Sequence, residues 1–449
     1  MMDDTLINKL AQRQFQLVFT YAPAGLGHLR VTDALYHGLP ETANPVLLGS
    51  KDKSIRMIHR ITSINPFFRS SFEWFQSGPL ASLSNRLYRA SLRSNTRLVY
   101  EQLADLIEEK LEPPKEVLVI ATHFGLAHKL AAAKEKLQKE ERVRIFLSVI
   151  VTDATFQHIW YVDGADLIVV PSHLVKEQYD AYGRSLGSSV RIEVLPYPLR
   201  PDLGQQLDSD EVASRANQLD AASGEPIRIA IPISGAAVGT DYFLSLIRAL
   251  HGKSDRFRFH IVSKDAPYTR DFLAQLGQES WVDIHVAGID REVVDAYDDL
   301  YNAHVISLEV TKPSEQAFKA LLGTNLRGGS ILLFSEPVGK QEFDNLDFLQ
   351  QHFLVPSMQA NMELWELAEN HTAVDDDARS RLLDEACSWR GVRIPKDPQK
   401  AANFIWWMLT TGVFSQMTAC DKVPNLSDPY LDELGPDGVT RFWELVASL

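Results

Sequence analysis

Two cysteines, Cys387 and Cys420, are all that the 449 residues provide, so no disulfide framework holds this chain together. That count fits a reducing compartment and leaves room for a single bridge. No stretch reaches the ~18 consecutive apolar residues that a membrane-spanning helix needs. The opening MMDDTLINKL is acidic and lacks the apolar run of a secretory signal, so a cytoplasmic location is expected. His, Cys and carboxylate residues do not recur at the spacings of a metal site, and Asp153 has no carboxylate two residues away. No metal is therefore expected. Low-complexity segments and short-period repeats are absent. Positive charge is scarce as well: the formal net charge is −14, which argues against broad nucleic-acid binding.

What is present is the composition of a folded protein. With 45% hydrophobic and 23% charged residues, disordered and collagen-like classes drop out. The length exceeds one ordinary core, and two α/β domains of roughly 200 residues each are expected. In the first half FQLVFTY (15–21), EVLVIAT (116–122), RIFLSVIVT (144–152) and DLIVVPS (166–172) are continuous apolar runs, the pattern of strands buried on both faces of a parallel sheet. Helical stretches lie between them, at 29–39 and 127–139. VRIEVLPYPLRPD (190–202) predicts a last strand with a proline-rich exit. The second half restarts the pattern with 226–234, 256–264, 281–288, 303–310 and 330–336. The alternation predicts two Rossmann-like, doubly wound sheets. The boundaries are 1–203 for the first domain, 204–223 for a connector, 224–394 for the second domain and 395–449 for a C-terminal helical segment.

Five motifs stand where strands end and helices begin. Gly25-Leu26-Gly27-His28 follows the first strand. Glycines there either let the backbone approach a ligand or simply make a tight turn, and a histidine at that edge suits a general base. Asp153, after the 144–152 strand, either orients a histidine or caps a loop. His158 and Trp160 supply a polar contact and an apolar platform, or a buried Trp, and His123 ends another strand. Gly235, Gly239 and Thr240 open the second domain's first helix in a loop fit for phosphate or a plain turn. Lys312-Pro313-Ser314-Glu315 places a carboxylate that suits a vicinal diol, or a simple helix cap. Gln341 and Glu342, with Asn345 beyond them, follow the last strand; the first two offer hydrogen bonds to several hydroxyls, or the stretch is an ordinary loop with a well-started helix.

Taken together and in this order, the motifs resemble the inverting GT-B glycosyltransferases that include monogalactosyldiacylglycerol synthase and the processive diacylglycerol glucosyltransferases. More distantly they are similar to the UDP-N-acetylglucosamine transferase of lipid II synthesis. The likeness covers about 15–355 and rests on Gly25-x-Gly27-His28, on TDATFQHIWYVDGADLIVVPS (152–172) with the PYP exit (196–198), and on Gly339-x-Gln341-Glu342-x-x-Asn345. The resemblance implies two Rossmann-like domains facing across a cleft. The first would hold an acceptor, near Gly25, Gly27, His123, His158 and Trp160, with His28 as base and Asp153 as the second catalytic candidate. The second would hold a UDP-sugar through Gly235, Gly239, Thr240, Lys312, Ser314, Glu315 on the ribose, Gln341, Glu342 and Asn345. No cofactor beyond that substrate is implied. One departure is plain: the family pattern places glycines after the lysine, whereas Lys312-Pro313 runs straight into Ser314-Glu315. A nucleotide-sugar binder without transfer activity, or a UDP-sugar epimerase-like enzyme, is the alternative.

Residues 51–97 concentrate positive charge, nine Lys and Arg against Asp52 and Glu73, with Phe67, Phe68, Phe72, Trp74 and Phe75 interleaved. In an acidic chain this suits contact with an anionic membrane surface on its inner face, or a solvated basic helix pair with its aromatics in the core.

Overall fold

The computed structural model describes residues 16–21, 26–40, 43, 45–49, 96–108, 116–140, 143–235, 237–370, 376–419 and 430–449. The basic segment and Gly25 lie outside the described residues, apart from the end of that segment at Thr96 and Arg97. The chain forms two compact units: 1–201 with 432–449, and 202–431.

In unit 1, strands β1 (Gln16–Tyr21), β2 (Val46–Gly49), β3 (Glu116–Ala121), β4 (Arg144–Ile150), β5 (Leu167–Val170) and β6 (Arg191–Val194) make one sheet. Its order is β2-β1-β3-β4-β5-β6 and every pairing is parallel. Helices α1 (Leu26–His37), α2 (Arg97–Glu108), α3 (Phe124–Glu140) and α4 (His173–Leu186) belong to the same unit. All four residues of β5, LIVV, are buried, as expected of a strand covered on both faces. The terminal helix Gly438–Ser448 also packs here. Trp443 is fully buried, and its indole N–H donates to the Leu35 carbonyl at 3.1 Å. A Cβ on Gly438 would stand 2.2 Å from the Pro196 carbonyl oxygen, so only glycine permits this approach. Just before that helix, the buried Glu433 carboxylate accepts the His173 backbone N–H at 2.6 Å, at the start of α4.

In unit 2, strands β7 (Ile227–Pro232), β8 (Phe257–Lys264), β9 (Val282–Ala287), β10 (Leu308–Thr311), β11 (Ile331–Phe334) and β12 (Gly391–Arg393) form a second parallel sheet, ordered β12-β11-β10-β7-β8-β9. Its helices are α5 (Ser209–Leu219), α6 (Thr240–His251), α7 (Arg270–Leu276), α8 (Asp290–Ala303), α9 (Lys340–Gln351), α10 (Met358–Glu369), α11 (Asp376–Ala386), α12 (Pro398–Thr410) and α13 (Val413–Ala419). Two doubly wound α/β units are thus present.

The stretch read as a connector holds α5, which opens with a capping box between Asp208 and Glu211 and buries Leu219 in the unit 2 core. The segment read as one C-terminal piece divides. The apolar faces of α12 and α13 complete the unit 2 core, and the terminal helix completes unit 1. The strand expected at 303–310 begins at Leu308, because α8 runs through Ala303. Cys387 is disulfide-bonded.

Among the polar groups buried in unit 2, two clusters stand on its strands. Glu309 on β10 and Lys319 form a fully buried ion pair at 2.7 Å. The other set is on β8. The His260 ring is buried with Nδ1 3.4 Å from His285 Nε2, and its centroid lies 4.9 Å from that of His304. Burial first, then the charges of His304, His285 and Arg228, push the His260 imidazole down to about 3 from its ordinary 6.5. Between those values an unfolded chain binds a proton at this position and the folded chain does not. Stability should therefore fall as pH drops below 6.5, by up to about 1.4 kcal/mol per pH unit, and level off near 3. Urea midpoints compared at neutral and acid pH should fall less steeply in His260→Leu than in wild type. Equal slopes would assign the acid loss to other groups.

Candidate active site

In unit 1 the strand order reverses between β1 and β3, with β2 on the far side of β1. Ligands of open α/β sheets bind outside the carboxyl ends of strands at such a point. His28 lies in the first turn of α1, which follows β1; Thr122 and His123 follow β3; Thr152 and Asp153 follow β4. The His28 ring has its Nδ1 3.1 Å from the Thr152 hydroxyl. Its centroid is 4.9 Å from that of His123, nearly perpendicular, and 5.9 Å from that of Trp160. The His28 carbonyl is approached by the hydroxyls of Thr122 at 3.0 Å and Thr32 at 2.9 Å, which lie 2.8 Å from each other. Two hydroxyl protons serve these three contacts, so two at most are hydrogen bonds at once. His123 Nδ1 accepts the Gly125 backbone N–H at 3.1 Å, so the neutral His123 ring carries its hydrogen on Nε2.

The structure therefore brings His28, His123 and Trp160 together, with Gly27 beside them in α1. Trp160 corrects one expectation: it is 2% exposed and packs in the core, so it is no open platform. His158 belongs to a separate aromatic set, with ring centroids 5.0 Å from Phe156 and 4.2 Å from Tyr182. Both sit on the single 3₁₀ turn His158–Trp160, where residues two apart point in different directions. Asp153 is half-buried, and its charge adds to burial in raising the Tyr179 hydroxyl above its ordinary value. Nothing in the sequence marks threonines 32, 122 and 152, which carry neither charge nor ring.

In unit 2 the order reverses between β7 and β10. Gly235, Gly239 and Thr240 follow β7; Lys312, Ser314 and Glu315 follow β10; Gln341, Glu342 and Asn345 follow β11. All three loops thus lie at the carboxyl edge of adjacent strands. Gly239 precedes α6 with φ +91°, a left-handed conformation that only glycine takes without strain. The Tyr268 hydroxyl donates to the Gly235 carbonyl at 2.9 Å. Lys312, Ser314 and Glu315 are half-buried, and the Ser314 hydroxyl makes no capping bond. Glu315 opens a seven-residue 3₁₀ run to Leu321, well beyond the usual three or four. Glu342 accepts the Val338 N–H at 2.6 Å and so closes its own turn. Asn345 is fully buried and donates to the Pro313 carbonyl at 3.1 Å, joining the loop after β10 to α9. Gln341 is half-buried in the first turn of α9. Among the described residues no three His, Cys, Asp or Glu side chains are grouped to hold a metal ion, and no helix is long and apolar enough to cross a membrane.

No family model matches the chain, and no curated protein matches it. Solved structures do show likeness over nearly the whole length. A putative UDP-N-acetylglucosamine 2-epimerase from Listeria monocytogenes is 13% identical, with 97% of this chain and 96% of that one covered and a TM-score of 0.46. An S. aureus MnaA–UDP co-structure is 11% identical, with 96% of each chain covered and a TM-score of 0.46. An Arabidopsis thaliana UGT complexed with UDP-L-rhamnose is 14% identical, covering 99% of this chain and 94% of its own, with a TM-score of 0.44. These are similarities of chain path and assign no residue a role.

Proposed function

We propose that this chain is an inverting GT-B glycosyltransferase that moves a sugar from a UDP-sugar to an acceptor hydroxyl, with a membrane lipid as the acceptor. The supporting observation is one of placement. A histidine with an oriented ring stands at the switch point of unit 1, and the loops read as donor contacts stand at the switch point of unit 2. In this reading His28 takes the acceptor's proton, the acceptor oxygen attacks the anomeric carbon, and UDP departs. Lys312 and the helix N-terminus after Gly239 meet its charge. The protein works at the cytoplasmic face of a membrane, with the basic segment 51–97 toward anionic lipid.

A second reading, a nucleotide-sugar binder or epimerase-like enzyme, is favoured by one observation. Pro313 lacks an N–H and no glycine accompanies it, so the loop after β10 offers fewer backbone donors to a diphosphate. Incubation with UDP-glucose, UDP-galactose and UDP-N-acetylglucosamine, with and without lipid extract, separates the two. Lipid-dependent release of UDP supports transfer; conversion of the sugar without release supports the second reading; failure to bind any of them removes both. Glu315→Ala should weaken UDP binding by about 1–3 kcal/mol in calorimetry, because a charged hydrogen bond to the ribose is lost. Equal affinities would take Glu315 out of the site.

A further inference from the structure

We propose that Thr152 is the positioning residue for His28: its hydroxyl accepts the Nδ1 hydrogen and so commits Nε2 to proton exchange with the acceptor. The inference rests on His28 being the base. Thr152 Oγ1 lies 3.1 Å from Nδ1, and Thr152 itself is 2% exposed. The backbone around it is held from two sides. The Val151 N–H donates to the Val169 carbonyl at 2.9 Å, and the Tyr197 hydroxyl donates to the Thr152 carbonyl at 3.3 Å. The backbone of His28 is fixed separately by Thr122 and Thr32. With both backbones anchored, turning the imidazole means giving up the Thr152 contact.

A hydroxyl can donate or accept. With hydrogen on Nδ1 the ring donates to Thr152 and Nε2 keeps a basic lone pair. The other tautomer reverses that bond and leaves Nε2 already protonated, unable to act. In the transfer step the acceptor oxygen bonds to the anomeric carbon. The bond from that carbon to the diphosphate oxygen breaks, its electron pair leaving on UDP, and the acceptor proton ends on Nε2. Nδ1–H donates to Thr152 before and after, so at Nδ1 the imidazolium is met by a neutral oxygen. Such a partner stabilises the cation less than a carboxylate would and more than a hydrocarbon would. His123, against the ring, and Asp153, the next residue in the chain, stay constant when only Thr152 is changed.

The test uses the full chain with Thr152→Val, Thr152→Ser and Thr152→Asp. One readout is the pH dependence of His28 acylation by diethyl pyrocarbonate, followed by mass spectrometry of the His28 peptide, which needs no substrate. The other is kcat against donor KM for UDP release. Val should move the acylation midpoint down by about half a pH unit, and Asp should move it up. Val should also lower kcat about tenfold at unchanged donor KM, and Ser, which keeps the hydroxyl, should restore both values. Equal midpoints in wild type, Val and Ser overturn the proposal, as does a Ser variant that behaves like Val. Absence of UDP release from every form counts against glycosyl transfer, and the acylation midpoints still decide the contact.

Discussion

His28→Ala should lower turnover by about 10²–10⁴-fold while UDP affinity stays at the wild-type value. The separation is expected because His28 belongs to unit 1 and the loops read as donor contacts belong to unit 2. Alanine also removes the ring that lies against His123 and Trp160, but Trp160 is held by its own core neighbours, so the fold should survive. The loss should appear in kcat, since a base acts as the acceptor proton begins to move and contributes little to ground-state binding. Turnover within a few-fold of wild type would pass the role of base to Asp153, a second acid–base group at the same edge.

Lys319→Met should destabilise unit 2 by about 3–5 kcal/mol, the usual penalty for leaving a buried charge without its partner. Glu309 Oε2 accepts from Lys319 at 2.7 Å, from the Tyr297 hydroxyl at 2.7 Å and from the Tyr301 hydroxyl at 2.5 Å. The ammonium is also 2.7 and 2.6 Å from the two tyrosine oxygens and 3.3 Å from Ser330 Oγ. Burial first, then the Glu309 charge, raise the Tyr301 hydroxyl well above its ordinary 10, so it remains a donor. The tyrosines are four apart on α8 and present one face. The cluster joins α8, β10 and the 3₁₀ run, so Lys319 also anchors the segment that begins with Glu315. Acid relieves an unpaired buried carboxylate by protonating it, so the deficit should be smaller at about pH 5 than at about pH 8. Lys319→Met combined with Glu309→Leu should recover much of the loss, because an apolar pair carries no desolvation debt. Urea unfolding read by near-ultraviolet circular dichroism measures all three proteins, and a single variant as stable as wild type would show the pair to be dispensable.

Strand positions were legible because β-branched apolar runs buried on both faces leave no other use for such sequences. β2 and β12 were not, since VLLG and GVR are too short to show a pattern. Nor does the sequence of the terminal helix say which unit it joins; that depends on the shape around Leu35 and Pro196. The place of His28 at a strand-to-helix junction was legible from its glycine-rich setting. Its ring partner was not. In Val151-Thr152-Asp153 the charge of Asp153 is the conspicuous feature, yet the His28 Nδ1 contact is made by the uncharged Thr152. Asn345 shows the same limit: a polar residue in a loop motif reads as a ligand contact, and its full burial against Pro313 emerges only from packing.

Because residues 432–449 return to unit 1, unit 2 is an insertion in the sequence of its neighbour. The order of synthesis then matters. The strands of unit 1 and the surface around Leu35 leave the ribosome first, but Trp443 follows only after all of 202–431. At roughly 5–20 residues per second, that interval is on the order of tens of seconds. During it the seat of the indole stands open, and unit 2 gains the last strand of its own sheet, β12, only near the end of that interval. The last helix therefore acts as a late-arriving clasp, and the nascent first unit is the part of this chain with most to gain from a chaperone.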